Sequence, residues 1–442
     1  MIGRPRDSPR RDTALILPDR TGPAYCCGAM GTGFEIVARR GHPEFLDLPW
    51  REPLATWGHG RLTTMAHGIS RHVVRFVRYD ERVYALKETP PGVADREYRL
   101  LQQLRARNLP TVEAAAVVHG RRSVGGEPLD AVLVTRYLDF SLPYWYLIGR
   151  EAGPELTRRL LDAAVVLLVR LHLDGFYWGD CSLSNVLFRR DAGALAAYLV
   201  DAETGEWHEP LSDRLREADL DLAKEHIVGG ILDLQAQGRV PAELDPLALT
   251  DALDRRYQAL WAELTRPEEV EAPERWRIEQ RIRGIEDLGF DVEELAIEQT
   301  ADGHRLRIRP VLVEEGHHAR ELERLTGLAV QENQARRLLG LIAAYRAHSD
   351  ATAGSELPLS VAASRWLTER YQPIVERIPD ELRNRLELAE VYHELAEHRY
   401  YLAEAAGREV GNEEALQSYL ETVLSSRPDE RTILTDEPAG PP

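Results

Sequence analysis

The stretch Leu171-His-Leu-Asp-Gly-Phe-Tyr-Trp-Gly-Asp-Cys-Ser-Leu-Ser-Asn-Val-Leu-Phe188 decides the reading of this chain. It leaves a long helical run, Leu156 to Leu173, and enters a short apolar segment, Val186 to Phe188, so it predicts a loop between a helix and a strand. A second apolar segment, Tyr198-Leu-Val200, brackets Asp191-Ala-Gly193 with the first and predicts a hairpin. The loop holds Asp180 and Asn185 five residues apart, and Asp201 follows the second segment, sixteen residues after Asn185. Asn185 and Asp201 together offer the hard oxygen donors that suit Mg²⁺. An aspartate after a strand is otherwise a cap or turn residue, so order and spacing carry this reading.

Upstream, short alternating runs from Thr63 to Glu88, separated by His67-Gly68 and Asp80-Glu81, predict three antiparallel strands. Lys87 ends the run Val83-Tyr-Ala-Leu-Lys87, and Lys224 is the only other lysine among 55 basic residues. In a chain that uses arginine almost everywhere, a compact ammonium at a strand end points to a phosphate ligand more than to a solvated charge. A helix from Ala94 to Arg107 follows, with Tyr98, Leu101 and Leu104 on one face, and then the strand-like Ala131-Val-Leu-Val-Thr135. Glu97 in that helix is placed to pair with Lys87, with Glu88 and Asp95 as competitors. Phosphoryl transfer asks for such a set: a cation on the phosphates, oxygens on the metal, and a carboxylate to orient the attacking hydroxyl.

The loop Gly179-Asp-Cys-Ser-Leu-Ser-Asn185 resembles the catalytic loop of protein kinases, and residues about 60 to 235 are similar to the lipopolysaccharide kinase family, a branch of the protein-kinase-like superfamily. The resemblance implies an α+β, bilobal protein-kinase-like fold with an antiparallel sheet in the N-lobe and a helical C-lobe. It implies ATP and Mg²⁺ as cofactors and Asp180 as the catalytic residue that orients the acceptor. Asn185 and Asp201 become metal ligands, and Lys87, Glu97 and Gly68 contact or support the nucleotide. His172 becomes a buried structural histidine, and Asp219 or Asp221 buttresses the loop. Several positions depart from the pattern. The glycine-rich loop is reduced to Gly68, where a surface turn is an equal account; Ser182 stands where protein kinases carry lysine; Asp201-Ala-Glu203 replaces their Asp-Phe-Gly, and no Ala-Pro-Glu follows within residues 33–265. Glu203 reads as a salt-bridge partner in preference to a further metal ligand. The missing activation segment favours a sugar, glycan or other non-protein hydroxyl as acceptor. A nucleotide-binding pseudokinase that regulates a partner and a protein kinase are the alternatives.

Over 442 residues, 43% hydrophobic and 29% charged side chains imply a globular chain of more than one domain. A formal charge of −18 opposes nucleic-acid binding, no run is long and apolar enough for a membrane helix, and three cysteines without a framework suit the cytoplasm. The expected layout is a disordered extension over 1–32, the kinase-like domain over 33–265, a mainly helical α+β domain over 274–425 and a disordered tail over 426–442. The last domain resembles a bacterial domain-of-unknown-function family (number 4032) through Gly289-Phe-Asp-Val-Glu-Glu294, Ile378-Pro-Asp-Glu-Leu-Arg383 and Ala389-Glu-Val-Tyr-His393, and it is the expected seat of a protein partner. Within it, Glu390, His393, Glu394 and Glu397 fall on one helix face and read as a solvated or salt-bridged stripe. Trp366, Tyr371, Tyr392, Tyr400 and Tyr401 read as helical packing core.

Overall fold

Strands β3 (Val73–Tyr79) and β4 (Arg82–Thr89) pair antiparallel across the predicted Asp80-Glu81 turn, where Asp80 takes a φ of +51°. They belong to a six-stranded antiparallel sheet of order β1-β5-β6-β4-β3-β2, completed by β1 (Glu35–Ala38), β2 (Leu62–Thr63), β5 (Glu113–His119) and β6 (Ala131–Arg136). The computed structural model describes residues 33–65, 72–150, 153–266, 268–270, 292–299, 306–312, 316–353 and 356–431, with single residues at 276 and 280. The extension 1–32, the Gly68 loop, Gly289 to Asp291 and residues 432–442 lie outside them.

Both faces of the sheet are covered, which explains what periodicity could not find. Helix α1 (Pro91–Ala106) lays Ala94, Tyr98, Leu101 and Leu104 over Val117 and Leu133, with Glu97 on the same buried side. On the other face, Phe45, Trp50, Leu54 and Trp57 cover Tyr84, Leu86, Val118 and Val134. Arg121 pins that cover: its buried guanidinium donates to the Trp50 carbonyl and to Glu88. Strand β5, Glu113-Ala-Ala-Ala-Val-Val-His119, therefore shows no alternation, because five consecutive residues are buried.

The second lobe is helical: α2 (Tyr144–Arg150), α3 (Pro154–Leu173), α4 (Asp213–Ala236, capped by Ser212) and α5 (Pro246–Thr265, capped by Asp245). The bilobal α+β arrangement implied by the sequence is present. Between the helices run β7 (Leu142–Pro143), the hairpin β9 (Val186–Asp191) and β10 (Ala194–Leu199), and the two-residue pair β8 (Phe176–Tyr177) and β11 (Glu206–Trp207). Two glycines permit that last pairing. A Cβ on Gly175, where φ is +87°, would lie 2.2 Å from the His208 oxygen, and one on Gly205 would lie 2.2 Å from the Phe176 ring.

A three-stranded sheet of order β12-β14-β13 follows (Glu268–Val270, Val292–Gln299, Leu306–Leu312, in chain order), with β13 and β14 pairing antiparallel. Then come α6 (His317–Thr326), α7 (Glu332–Ala353), α8 (Leu359–Trp366), α9 (Leu388–Ala406) and α10 (Asn412–Thr422). Trp366 and Tyr371 pack in one helical core, but Tyr400 and Tyr401 are 66% and 65% exposed and do not belong to it. From Phe34 onward the chain forms one compact unit. The whole stretch after Ser426 is not a loose tail: Glu430 is buried and takes a bidentate contact from Arg190.

At this junction Asp191 is fully enclosed and accepts from the backbone N–H groups of Gln334 and Asn333. Burial pushes its carboxyl up to about 7 against those two bonds, with Glu390 and Glu387 adding to the rise. A carboxyl raised from its ordinary 3.8 binds more protons folded than unfolded, so its contribution is full below about pH 4 and is lost as pH climbs through about 7. Thermal melts of wild type and Asp191→Asn should therefore show a gap that turns against wild type between pH 5 and pH 7 and is level above; a constant gap would mean the group is ionised throughout. Gly175→Ala should lower stability by roughly 2–5 kcal/mol, from positive φ plus overpacking, measured by denaturant unfolding.

Candidate functional site

Asp219 on α4 has a side chain with no solvent exposure, and every bond it makes reaches the loop or the helix before it. Its Oδ2 accepts from the Trp178 backbone N–H at 2.7 Å and its Oδ1 from that of Gly179 at 2.8 Å. His172 Nε2 lies 3.1 Å from the same carboxylate, and His172 Nδ1 lies 2.6 Å from the Tyr257 hydroxyl of α5. Asp219 is thus the buttress; Asp221 instead pairs with Lys224 at 2.7 Å.

Within the loop, Asp180 folds the chain back on itself. Its backbone carbonyl accepts from the Ser182 N–H at 2.8 Å and from Asn185 Nδ2 at 3.1 Å. That second bond uses the Asn185 amide nitrogen and leaves the amide oxygen as the atom a cation would take. The Asp180 carboxylate, 17% exposed, has His226 Nδ1 at 2.9 Å from its Oδ1. Trp178, fully buried, donates its indole N–H to the Asp201 carbonyl at 2.8 Å, and Thr204 Oγ1 donates to the Trp178 carbonyl at 2.8 Å. The loop is therefore joined through Trp178 to the segment 201–204, by its indole N–H to Asp201 and by its backbone carbonyl to the Thr204 side chain.

Lys87 reaches this point from the sheet. Its Nζ lies 2.9 Å from Glu97 Oε2, 2.6 Å from Asp201 Oδ2 and 3.1 Å from Glu203 Oε2. Burial would pull the ammonium down, but the Glu97 and Asp201 charges outweigh it and hold it well above a free lysine. Burial first, and then the Asp201 charge, push the Glu97 carboxyl up. One cation thus faces three carboxylates. Oxygens of Glu97, Asp201 and Glu203 lie within 4.8 Å of one another, and this surplus of hard, negative donors fits a divalent cation. Through the Lys87 ammonium Glu203 is an ion-pair partner in this arrangement, and His72 Nε2 lies 3.2 Å from its Oε2.

The structure brings Lys87, Glu97 and Asp201 into direct contact, joins Asp180 to Asn185, and links the two groups through Trp178. Gly68 lies outside the described residues. Sequence reasoning missed Trp178, Thr204, His226, Tyr257 and His72. Of these, His226 carried a signal, seven residues or two helical turns after Asp219 and hence on the same face. Asp219→Asn leaves one of two buried N–H groups facing an amide donor, so it should cost roughly 1–3 kcal/mol in denaturant unfolding and loosen Trp178, read as a shift in tryptophan emission.

Residues 78–235 match the model of the lipopolysaccharide kinase (Kdo/WaaP) family, and residues 259–424 match that of a domain of unknown function, DUF4032. Both resemblances drawn from sequence are thereby shown, each over its own part of the chain, and the structure mixes α and β elements. Similar solved structures include WaaP in complex with acyl carrier protein, at 18% identity over 51% of this chain and 89% of that one, TM-score 0.32. The BubR1 kinase domain is another, at 12% identity over 37% of this chain and 53% of that one, TM-score 0.28. No curated protein matches the chain in sequence. Among the described residues no helix is long and apolar enough to cross a membrane.

Proposed function

We propose that this chain is a Mg-ATP-dependent phosphotransferase that phosphorylates a hydroxyl of a sugar, glycan or other non-protein acceptor in the cytoplasm. The observation that carries the reading is the contact of Lys87 with both Glu97 and Asp201, on the same segment that matches a kinase family. Glu97 fixes the ammonium from α1, so Lys87 presents a positioned charge to the nucleotide phosphates. Asn185 and Asp201 would hold Mg²⁺, with Glu203 close by. When bound, the ion supplies neutralising charge at the transferring phosphoryl group. Asp180 orients the acceptor hydroxyl and takes up its hydrogen bond, while His226 restrains one carboxylate oxygen. Catalysis on this reading is positioning and electrostatics, both fixed before the acceptor arrives.

The test follows label from γ-phosphate-labelled ATP into products of a metabolite and glycan extract, with purified full-length protein and Mg²⁺. Asp180→Asn should lower transfer about a hundredfold or more while nucleotide binding persists. Lys87→Met should weaken nucleotide binding itself, measured by titration calorimetry. Labelled protein in place of small molecules or glycans would turn the reading to a protein kinase. Tight Mg-ATP binding without transfer would turn it to a regulator, and no binding would overturn it.

A further inference from the structure

The turn of the β9–β10 hairpin is Ala192-Gly193, and both residues have positive φ, +53° and +84°. Two positive φ angles in a two-residue loop are the pattern that favours Asn-Gly or Gly-Gly, and an alanine there is strained. Successive N–H groups in such a turn converge into a concavity that takes an anion. Here the anion comes from the C-terminal module. Glu390 on α9, 2% exposed, accepts from the Ala192 N–H at 2.7 Å and the Gly193 N–H at 3.2 Å. Gln334 on α7 braces the pair, donating to Glu390 Oε2 at 2.8 Å and to the Arg190 carbonyl at 3.2 Å. The face expected to be a solvated or salt-bridged stripe therefore buries its first carboxylate against the kinase-like lobe.

The hairpin so held connects the two candidate metal ligands. Strand β9 starts one residue after Asn185 and β10 ends two residues before Asp201. Val186 lies opposite Leu199, and the Val200 N–H donates to the Asn185 carbonyl at 2.9 Å, which keeps the two ends side by side. Strand β7 pairs only with Leu187 and Phe188, near the base, so the N–H groups at the tip are left to the C-terminal module. Twist or slippage of an antiparallel pair changes the spacing of its ends.

We propose that Glu390 is a positioning residue for the metal site: by filling the Ala192-Gly193 concavity it holds the hairpin so that Asn185 and Asp201 face a single cation. This rests on the phosphotransferase reading above, and it makes the C-terminal module a working part of the site. Glu390→Gln keeps the side chain's size but turns a donor toward one of the two N–H groups; Gln334→Ala removes the brace and serves if the first variant folds poorly. Hydrogen exchange of full-length protein should show faster exchange across residues 186–200 in both. Titration with Mn²⁺ in the presence of a non-hydrolysable ATP analogue should show metal affinity about tenfold weaker, with metal-free nucleotide affinity unchanged. Adding Ala192→Gly to Glu390→Gln, which relieves the positive-φ strain, should recover part of the protection. Unchanged exchange, or metal-dependent and metal-free affinities falling together, would overturn the proposal. If wild type binds no nucleotide, the phosphotransferase reading fails by itself, and exchange together with the Ala192→Gly rescue still decides whether Glu390 holds the hairpin.

Discussion

A carboxylate removed from water must be met by hydrogen bonds, and Asp219 meets that demand with the backbone of the loop that precedes Asp180. The cost of leaving such a group unpaired is on the order of several kcal/mol, so helix α4 and the loop cannot part without exposing or stranding the charge. Everything near the site inherits its position from this contact. His172 and Tyr257 extend it into α3 and α5, and Trp178, whose N–H it holds, carries it on to Asp201. The chemistry is thus built on polar groups that the protein interior forces into one arrangement.

The opposite situation holds at Lys87. There the interior gathers more negative charge than a single ammonium balances, with Glu97, Asp201 and Glu203 all within 3.1 Å of Nζ. Such an excess is electrostatically unfavourable in a partly dry cleft and favours any added cation. The departure of Asp201-Ala-Glu203 from the usual protein-kinase triplet therefore has a structural meaning: Glu203 enters the charge cluster where a glycine would leave space. Stability and site chemistry are in tension here, a common condition of functional sites.

The C-terminal module enters the same logic from outside. Its acids Glu390 and Glu430, both buried, and the partly buried Glu387 all meet residues of the β9–β10 hairpin. In return Asp191 accepts from the start of α7, where unpaired backbone N–H groups and the helix dipole favour a carboxylate. Polar groups cross the boundary in both directions, and each would be unsatisfied alone.

The sequence by itself determined the local pieces: the loop between α3 and β9, the hairpin, the helix bearing Glu97 and the lysine at the end of β4. These are written in short-range periodicity and spacing, which depend only on neighbours along the chain. Strand β5, the aromatic cover at residues 45–57 and the role of Glu390 were not legible. Each depends on what lies against it: a strand buried on both faces loses alternation, and a glutamate on a helix face looks the same whether water or a hairpin turn faces it. Only the tertiary structure decided that His226 meets Asp180, that Asp219 and not Asp221 goes inside, and that the stripe of α9 closes on the hairpin. Those choices were made by packing and by the need to satisfy buried polar groups, constraints that act between residues far apart in the chain.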